Sequence, residues 1–372
     1  MKVNLSGPDI TQKEIDLVVE VLKSKYLSIG PKIQEFEQKV TEYFQVKHAI
    51  GVNSGTSGLH LLVKALGITE GDEVITTPFS FVASTNCFLF EKAKPVFVDI
   101  DENTMNIDIN KIEEKITKKT KAILVVDVFG QPVNMEEVNK IANKNNLKVI
   151  EDSCEAIGSE NKGIKAGTLG DCGVFAFYPN KQITTGEGGM ILTNSDEIAN
   201  LCRSLRSQGR AVTGTWLHHD RLGYNYRMNE LQAALGVVQM ERLDEIIEKR
   251  QRVANLYNEK LEGVTGVTVP YIDSETTRMS WFVYVVRLDS NIGRNSVLKY
   301  LTNNGIGCKP YFTPIHLQPY MKEMFGFKEN DFPITERISN STIALPFHNN
   351  LTIDEIDYVV KKLKEGIKLY KY

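Results

Sequence analysis

The chain reads as an α/β protein of two domains, the larger built on a mostly parallel sheet with helices on both faces. Three observations predict this. Between residue 48 and about 195, short β-branched runs alternate with helical patterns, as in parallel sheets whose crossovers are helices. At 372 residues the chain exceeds the roughly 250–300 residues at which single cores stop growing. Finally, a long helical pattern from about Asn229 to Leu261 is apolar early and charged late, which suits a helix leaving one domain and entering the next. The boundary falls near residue 245, giving a large domain of 1–245 and a smaller α+β domain of 246–372.

In chain order, the strand HAIGV (48–52) is followed by the helical GTSGLHLLVKAL, then EVITTP, FVASTNCFLFEK and PVFVDI. A helix near 108–117, the strand AILVVDV, a helix near 134–145 and the strand KVIED complete the alternation. After Asp152 the pattern changes. GVFAFY and GGMILTN stand close together around the turn-rich YPNKQITTGEGG, predicting neighbouring strands joined by a functional loop. Beyond residue 245 come the strand SWFVYVVRL, a helix from about Arg294, the loop KPYFTPIHLQP and an amphipathic helix from Ile353.

Composition excludes several function classes. With 42% hydrophobic and 24% charged residues and a net charge of −3, the chain is neither disordered nor membrane-like. Its positive charge is spread rather than gathered, so nucleic acid is not an expected partner. The N-terminus lacks the apolar core of a signal peptide, and no stretch reaches the roughly 18 apolar residues of a membrane span, so a cytoplasmic protein is expected. Cys87, Cys154, Cys172, Cys202 and Cys308 have no paired spacing and are odd in number, which argues against a disulfide framework or a zinc site. No metal is expected; the adjacent His218 and His219 do not face one site.

Four features fall at the carboxyl ends of strands, where open α/β sheets bind ligands. Asn53-Ser54-Gly55-Thr56-Ser57 opens a helix, whose free N–H groups could cradle a phosphate, or Ser54 could be an ordinary N-cap. Asp152 ends KVIED, and a carboxylate there needs a cationic or hydrogen-bonding partner. A protonated pyridine nitrogen would serve; a turn cap or metal ligand is the alternative. Lys181 sits between apolar strands with Gly186, Gly188 and Gly189 behind it, suiting Schiff-base chemistry if desolvated, although a lone loop lysine is commonly a surface charge. Phe81 could stack on a planar ring or belong to the core. Phosphate cup, aromatic, carboxylate and lysine, in that order along one sheet, fit a single cofactor.

GTSGLH, TPFSFVAS, FGQP, EDSCEAIGS, FAFYPNKQITTGEGGM, GYNYRMNELQAALG and KPYFTPIHLQPY occur in the order found in the DegT/DnrJ/EryC1/StrS family of nucleotide-sugar aminotransferases, which the chain resembles over nearly its whole length. The resemblance implies the aspartate-aminotransferase fold, type I, with a seven-stranded sheet, and pyridoxal 5′-phosphate as cofactor. By the same resemblance Lys181 is the Schiff-base lysine, Asp152 the partner of the pyridine nitrogen and Phe81 the stacking ring. Gly55, Thr56 and Ser57 contact the phosphate, and Asn225 reaches the phosphate of a neighbouring subunit, which implies a homodimer with shared active sites. Two positions depart from many members. Glu155, a cofactor-binding candidate, stands where Gln or His is common, as in the perosamine synthases of the family. Its contact to the phenolic oxygen of the cofactor would need a proton on Glu155, or the residue faces the substrate instead. Ala176 replaces a serine phosphate ligand.

Related dehydratases carry histidine at the lysine position, so Lys181 implies amine transfer. The expected reaction moves an amino group from L-glutamate to a keto-sugar nucleotide, an NDP-4-keto-6-deoxyhexose, for amino-sugar and surface-glycan synthesis. Lys309, Tyr311 and His316 are the substrate-binding candidates. A cofactor-binding regulator, a sugar 3-aminotransferase or dehydratase, and a thiol-dependent enzyme using Cys87, Cys172 or Cys308 are the competing readings.

Overall fold

The computed structural model describes residues 1–211 and 217–372. Its strands are β1 (His48–Val52), β2 (Glu73–Thr76), β3 (Lys94–Phe97), β4 (Thr120–Val126), β5 (Lys148–Asp152), the short pair β6 (Glu160–Asn161) and β7 (Ile164–Lys165), β8 (Cys172–Ala176) and β9 (Gly189–Thr193). Seven of them form one sheet in the order β1-β9-β8-β5-β4-β2-β3. All neighbouring pairs from β3 to β8 are parallel, and β9 alone runs against both its neighbours. Residues Ala122–Val126 of β4 are buried without alternation, because helices cover both faces of the sheet. The expected pairing of the two strands after Asp152 is realised, with Ala176 opposite Gly189.

Two elements differ from expectation. The segment 108–117 forms two tight turns, Ile109–Lys111 and Glu113–Lys115, rather than a helix. The Asp108 side chain takes the Asn110 N–H at 3.2 Å and closes the first turn locally. The long helix after Asn229 is two helices, Glu230–Glu241 and Leu243–Leu261. Arg242 breaks the spiral at φ −100°, ψ 4°, and its guanidinium turns inward to Asp9 and Glu14.

Beyond this break β10 (Val267–Thr268), β11 (Thr276–Arg278), β12 (Tyr284–Leu288) and β13 (Thr342–Leu345) follow. A second sheet, β10-β12-β13, packs with the helices Leu243–Leu261, Arg294–Asn303 and Ile353–Leu369 around its own core of Tyr257, Trp281, Tyr284 and Leu363. The N-terminus joins that core: Val3 is buried in it and bridges Ile306. β11 pairs back to β6 and ties the two halves together. Among the described residues no helix is long and apolar enough to cross a membrane.

Candidate active site

A cavity of about 530 Å³ opens at the carboxyl ends of β4 and β5, among residues of the helix after β1, the β8–β9 loop and the C-terminal half. Small-molecule sites span roughly 300–1,000 Å³. Gly55, Thr56, Phe81, Asp152, Glu155, Lys181 and Tyr311 all line it, so most of the residues expected from sequence converge there.

Asp152 is the last residue of β5 and is 4% exposed. Ser84 donates to its Oδ2 at 2.6 Å, and Ser84 in turn meets Ser80 at 2.7 Å. The Cys154 N–H approaches the other carboxylate oxygen at 3.3 Å. Just past the end of β4, burial pushes the Asp127 carboxyl up to about 7 against hydrogen bonds from Ser153 and Val133, which limits negative charge beside Asp152 near neutrality.

Lys181 projects from the β8–β9 loop, with its side chain 13% exposed. Its Nζ lies 3.4 Å from Glu155 Oε1 and 3.8 Å from the centroid of the Phe282 ring. Glu155 is buried and also accepts the Phe129 N–H at 2.9 Å. Burial raises the Glu155 carboxyl above its ordinary range, while the Lys181 charge opposes that rise. The lysine is thus shielded from bulk water, next to a carboxyl that can hold or release a proton.

At the other side of the cavity the helix Gly55–Ala65 begins. Ser54 caps it: its Oγ accepts the Ser57 N–H at 3.1 Å and its carbonyl accepts the Gly58 N–H at 3.1 Å. Among the described residues the N–H groups of Gly55 and Thr56 have no protein acceptor, which leaves an anion cradle at the positive end of a helix. Ser54 is thus the N-cap, and its capping still leaves these two N–H groups without a partner among the described residues. Close packing explains two glycines. A Cβ on Gly55 would lie 2.8 Å from Ala176 Cβ and 2.9 Å from Cys154 Sγ, and one on Gly189 would lie 2.7 Å from the Ser54 backbone.

Several expected residues sit elsewhere. Ser57 does not line the cavity: its hydroxyl is used within the cap, reaching Asn53 Oδ1 at 2.6 Å. His316 is fully buried, bonded to Glu336 at 3.1 Å and packed on Phe332, so its ring supports the fold and cannot meet a substrate. Lys309 is exposed and pairs through its backbone with Ala344, outside the lining. Asn225 is exposed and likewise outside its own chain's cavity. Phe81, by contrast, lines the cavity and is 62% exposed, so it is no core aromatic; the buried ring is Phe79. Cys87, Cys172 and Cys308 are buried away from the lining, and burial pushes their thiols up, which removes the thiol-enzyme reading.

Sequence reasoning missed Ser84, Asn180, Phe282 and Phe312. Ser84 lies three residues after Phe81 in a stretch read only for its aromatic. Phe282 and Phe312 arrive from the C-terminal half, where nothing local marks them as cavity residues. The assembled donor set fits pyridoxal phosphate on its own chemistry: free N–H groups for a phosphate, a fixed carboxylate for a ring nitrogen, and a shielded amine for an aldehyde.

The profile of the DegT/DnrJ/EryC1/StrS aminotransferase family matches residues 8–364. GDP-perosamine synthase of Caulobacter vibrioides is 40% identical over 368 residues, covering 98% of each chain. Among solved structures, PseC of Helicobacter pylori, an aminotransferase of pseudoaminic acid biosynthesis, superposes with a TM-score of 0.95 at 30% identity over the whole of both chains. Spr1654 of Streptococcus pneumoniae in its PLP-form gives 0.94 at 27% identity and 99% coverage of each. With its sheet order, its cavity residues and a match spanning nearly its full length, the chain belongs to the DegT/DnrJ/EryC1/StrS aminotransferase family.

Proposed function

We propose that this aminotransferase moves an amino group from L-glutamate to the keto carbon of a nucleotide-linked sugar, a 4-keto-6-deoxyhexose, in amino-sugar synthesis in the cytoplasm. The observation carrying this reading is that Asp152, Lys181 and the unpaired N–H groups of Gly55 and Thr56 line one cavity. When bound, pyridoxal phosphate supplies an aldehyde that carries the amino group and a ring that takes up the electrons of the carbon losing its proton.

The chain's own groups have separate tasks. Gly55 and Thr56 hold the phosphate through backbone N–H groups. Asp152, fixed by Ser84, keeps a proton on the ring nitrogen. Lys181 would anchor the cofactor and, once displaced, would move the α-carbon proton of the donor to the aldehyde-derived carbon of the cofactor in the first half-reaction, and a proton from that carbon to the former keto carbon of the sugar in the second. Glu155, 3.4 Å from Lys181, steadies the amine while it is charged. Phe81 offers a stacking face, and Tyr311 is the cavity group we assign to the sugar nucleotide. The exposed Asn225 suits a contact to the phosphate of a second copy, and so a homodimer with shared sites. A large domain ending near residue 245 would carry the cofactor, with the C-terminal domain contributing Phe282 and Tyr311.

The test mixes the pyridoxamine form with a panel of keto-sugar nucleotides and follows return of the aldehyde absorbance. Rapid return with a 4-keto-6-deoxyhexose linked to a nucleoside diphosphate supports the reading. Return only with 2-oxo acids would contradict it.

A further inference from the structure

A second cavity, of about 690 Å³, opens where the loop carrying Glu102 meets the C-terminal sheet, and it shares no lining residue with the first. Three guanidinium groups, of Arg287, Arg294 and Arg337, face it. Arg337 is neutralised by Glu102 through contacts of 2.6 and 2.9 Å. Arg287 and Arg294 form no ion pair among the described residues; each gives one N–H to a backbone carbonyl, of Glu102 at 2.8 Å and of Thr342 at 3.0 Å. Asp289 borders the cavity without forming an ion pair with any of the three. The Arg294 Nε is shielded from water and has no acceptor among the described residues. Partial burial lowers the proton affinity of both arginines, in Arg287 against the pull of the Glu102 and Asp101 carboxylates and with the repulsion of Arg337.

Arg294 is also the first residue of the helix Arg294–Asn303, whose N-cap is Gly293 and which has no side-chain cap. Among the described residues the N–H groups of Arg294, Asn295 and Ser296 have no protein acceptor. Two guanidinium groups without an ion pair and three N–H groups without a protein acceptor among the described residues, on one cavity wall, are a donor set suited to phosphate oxygens. A further contact gives the location meaning. Arg294 bonds the Thr342 carbonyl, the Thr342 hydroxyl bonds the Tyr311 carbonyl at 2.5 Å, and Tyr311 lines the reactive cavity.

We propose that this cavity is a second binding site, separate from the reactive one, for a small molecule bearing a diphosphate group. Arg287, Arg294 and the start of the Arg294–Asn303 helix grip the anion, and the remaining volume receives whatever the diphosphate carries.

The test is calorimetric titration of the cofactor-loaded protein with sodium pyrophosphate and, separately, with UDP, at matched low ionic strength. Wild type, Arg294→Gln and Ser296→Asp are compared. Wild type is expected to bind saturably, and Arg294→Gln at least tenfold more weakly. Ser296→Asp places a carboxylate in the first helical turn, so it should abolish binding and raise Tm in anion-free buffer by supplying the missing counter-charge. If Arg294→Gln fails to fold, Ser296→Asp decides. Tighter binding of UDP than of pyrophosphate would indicate a nucleoside on the diphosphate, and the reverse order a bare diphosphate; either supports the site. Absence of saturable binding to wild type, or binding to folded variants within twofold of wild type, overturns the proposal. The latter would place the anion in the reactive cavity.

Discussion

Replacing Ser84 with alanine removes one hydroxyl, and the structure sets how much that should matter. Ser84 Oγ lies 2.6 Å from Asp152 Oδ2, with the two residues 1% and 4% exposed, so no water replaces the lost donor without rearrangement. A hydrogen bond to a charged group contributes about 1.5–3 kcal/mol, and each ~1.4 kcal/mol is a factor of ten. Asp152 freed from Ser84 would hold the ring nitrogen less well, and the half-reaction with L-glutamate should slow roughly ten- to a hundredfold. Stopped-flow loss of the aldehyde absorbance measures this in a single turnover. Ser84→Thr keeps the hydroxyl and should recover most of the rate. A Ser84→Ala rate within twofold of wild type would refute the reasoning, because the carboxylate would then need no fixing by this residue.

Three other substitutions probe distinct parts of the account. Gly55→Ala pushes a methyl to 2.8 Å from Ala176 Cβ and 2.9 Å from Cys154 Sγ; it should cost about 1–3 kcal/mol and weaken cofactor retention, read by denaturation and by dialysis. His316→Ala should lower stability by about 3 kcal/mol yet leave the kcat of the folded protein within twofold, because the ring is buried against Glu336 and Phe332. Arg242→Met strands Asp9 and Glu14, which it meets at 3.1 and 2.6 Å, and should cost about 3–5 kcal/mol at pH 7. Burial pushes both carboxyls up, but hydrogen bonds from Asn349 and Arg242 to Asp9, and from Thr11, Gln239 and Arg242 to Glu14, outweigh it and hold both below their ordinary values of 3.8 and 4.5. A depressed carboxyl stabilises the fold above its unfolded value and loses that contribution as the pH falls through its folded one. The Arg242→Met deficit should therefore shrink in urea denaturation carried out below pH 4.

The sequence disclosed the site wherever chemistry is local. Asp152 at a strand end, Gly55-Thr56 at a helix start and Lys181 in a glycine-rich loop were readable because strand ends and helix N-termini are functional places in any α/β sheet. Where tertiary contacts decide, it was silent or misleading. Ser57 belongs to the phosphate segment by position, yet the cap geometry turns its hydroxyl to Asn53. His316 sits in a polar loop, and only the packing of Phe332 and Phe327 around it reveals that it is structural. The break at Arg242 was hidden because the apolar period continues on both sides, while the cause, the carboxylates of Asp9 and Glu14, lies more than two hundred residues away. Phe282 reaches Lys181 from the other half of the chain, a contact no local pattern encodes.

The central claim is that Lys181 carries the cofactor. Borohydride reduction of the loaded protein, followed by digestion and mass spectrometry, makes that bond permanent and identifies the lysine that bears it. The account predicts the pyridoxyl mass on Lys181 alone, and none in Lys181→Ala. The label on any other lysine, Lys309 included, or no label in wild type that has taken up the cofactor, would contradict it.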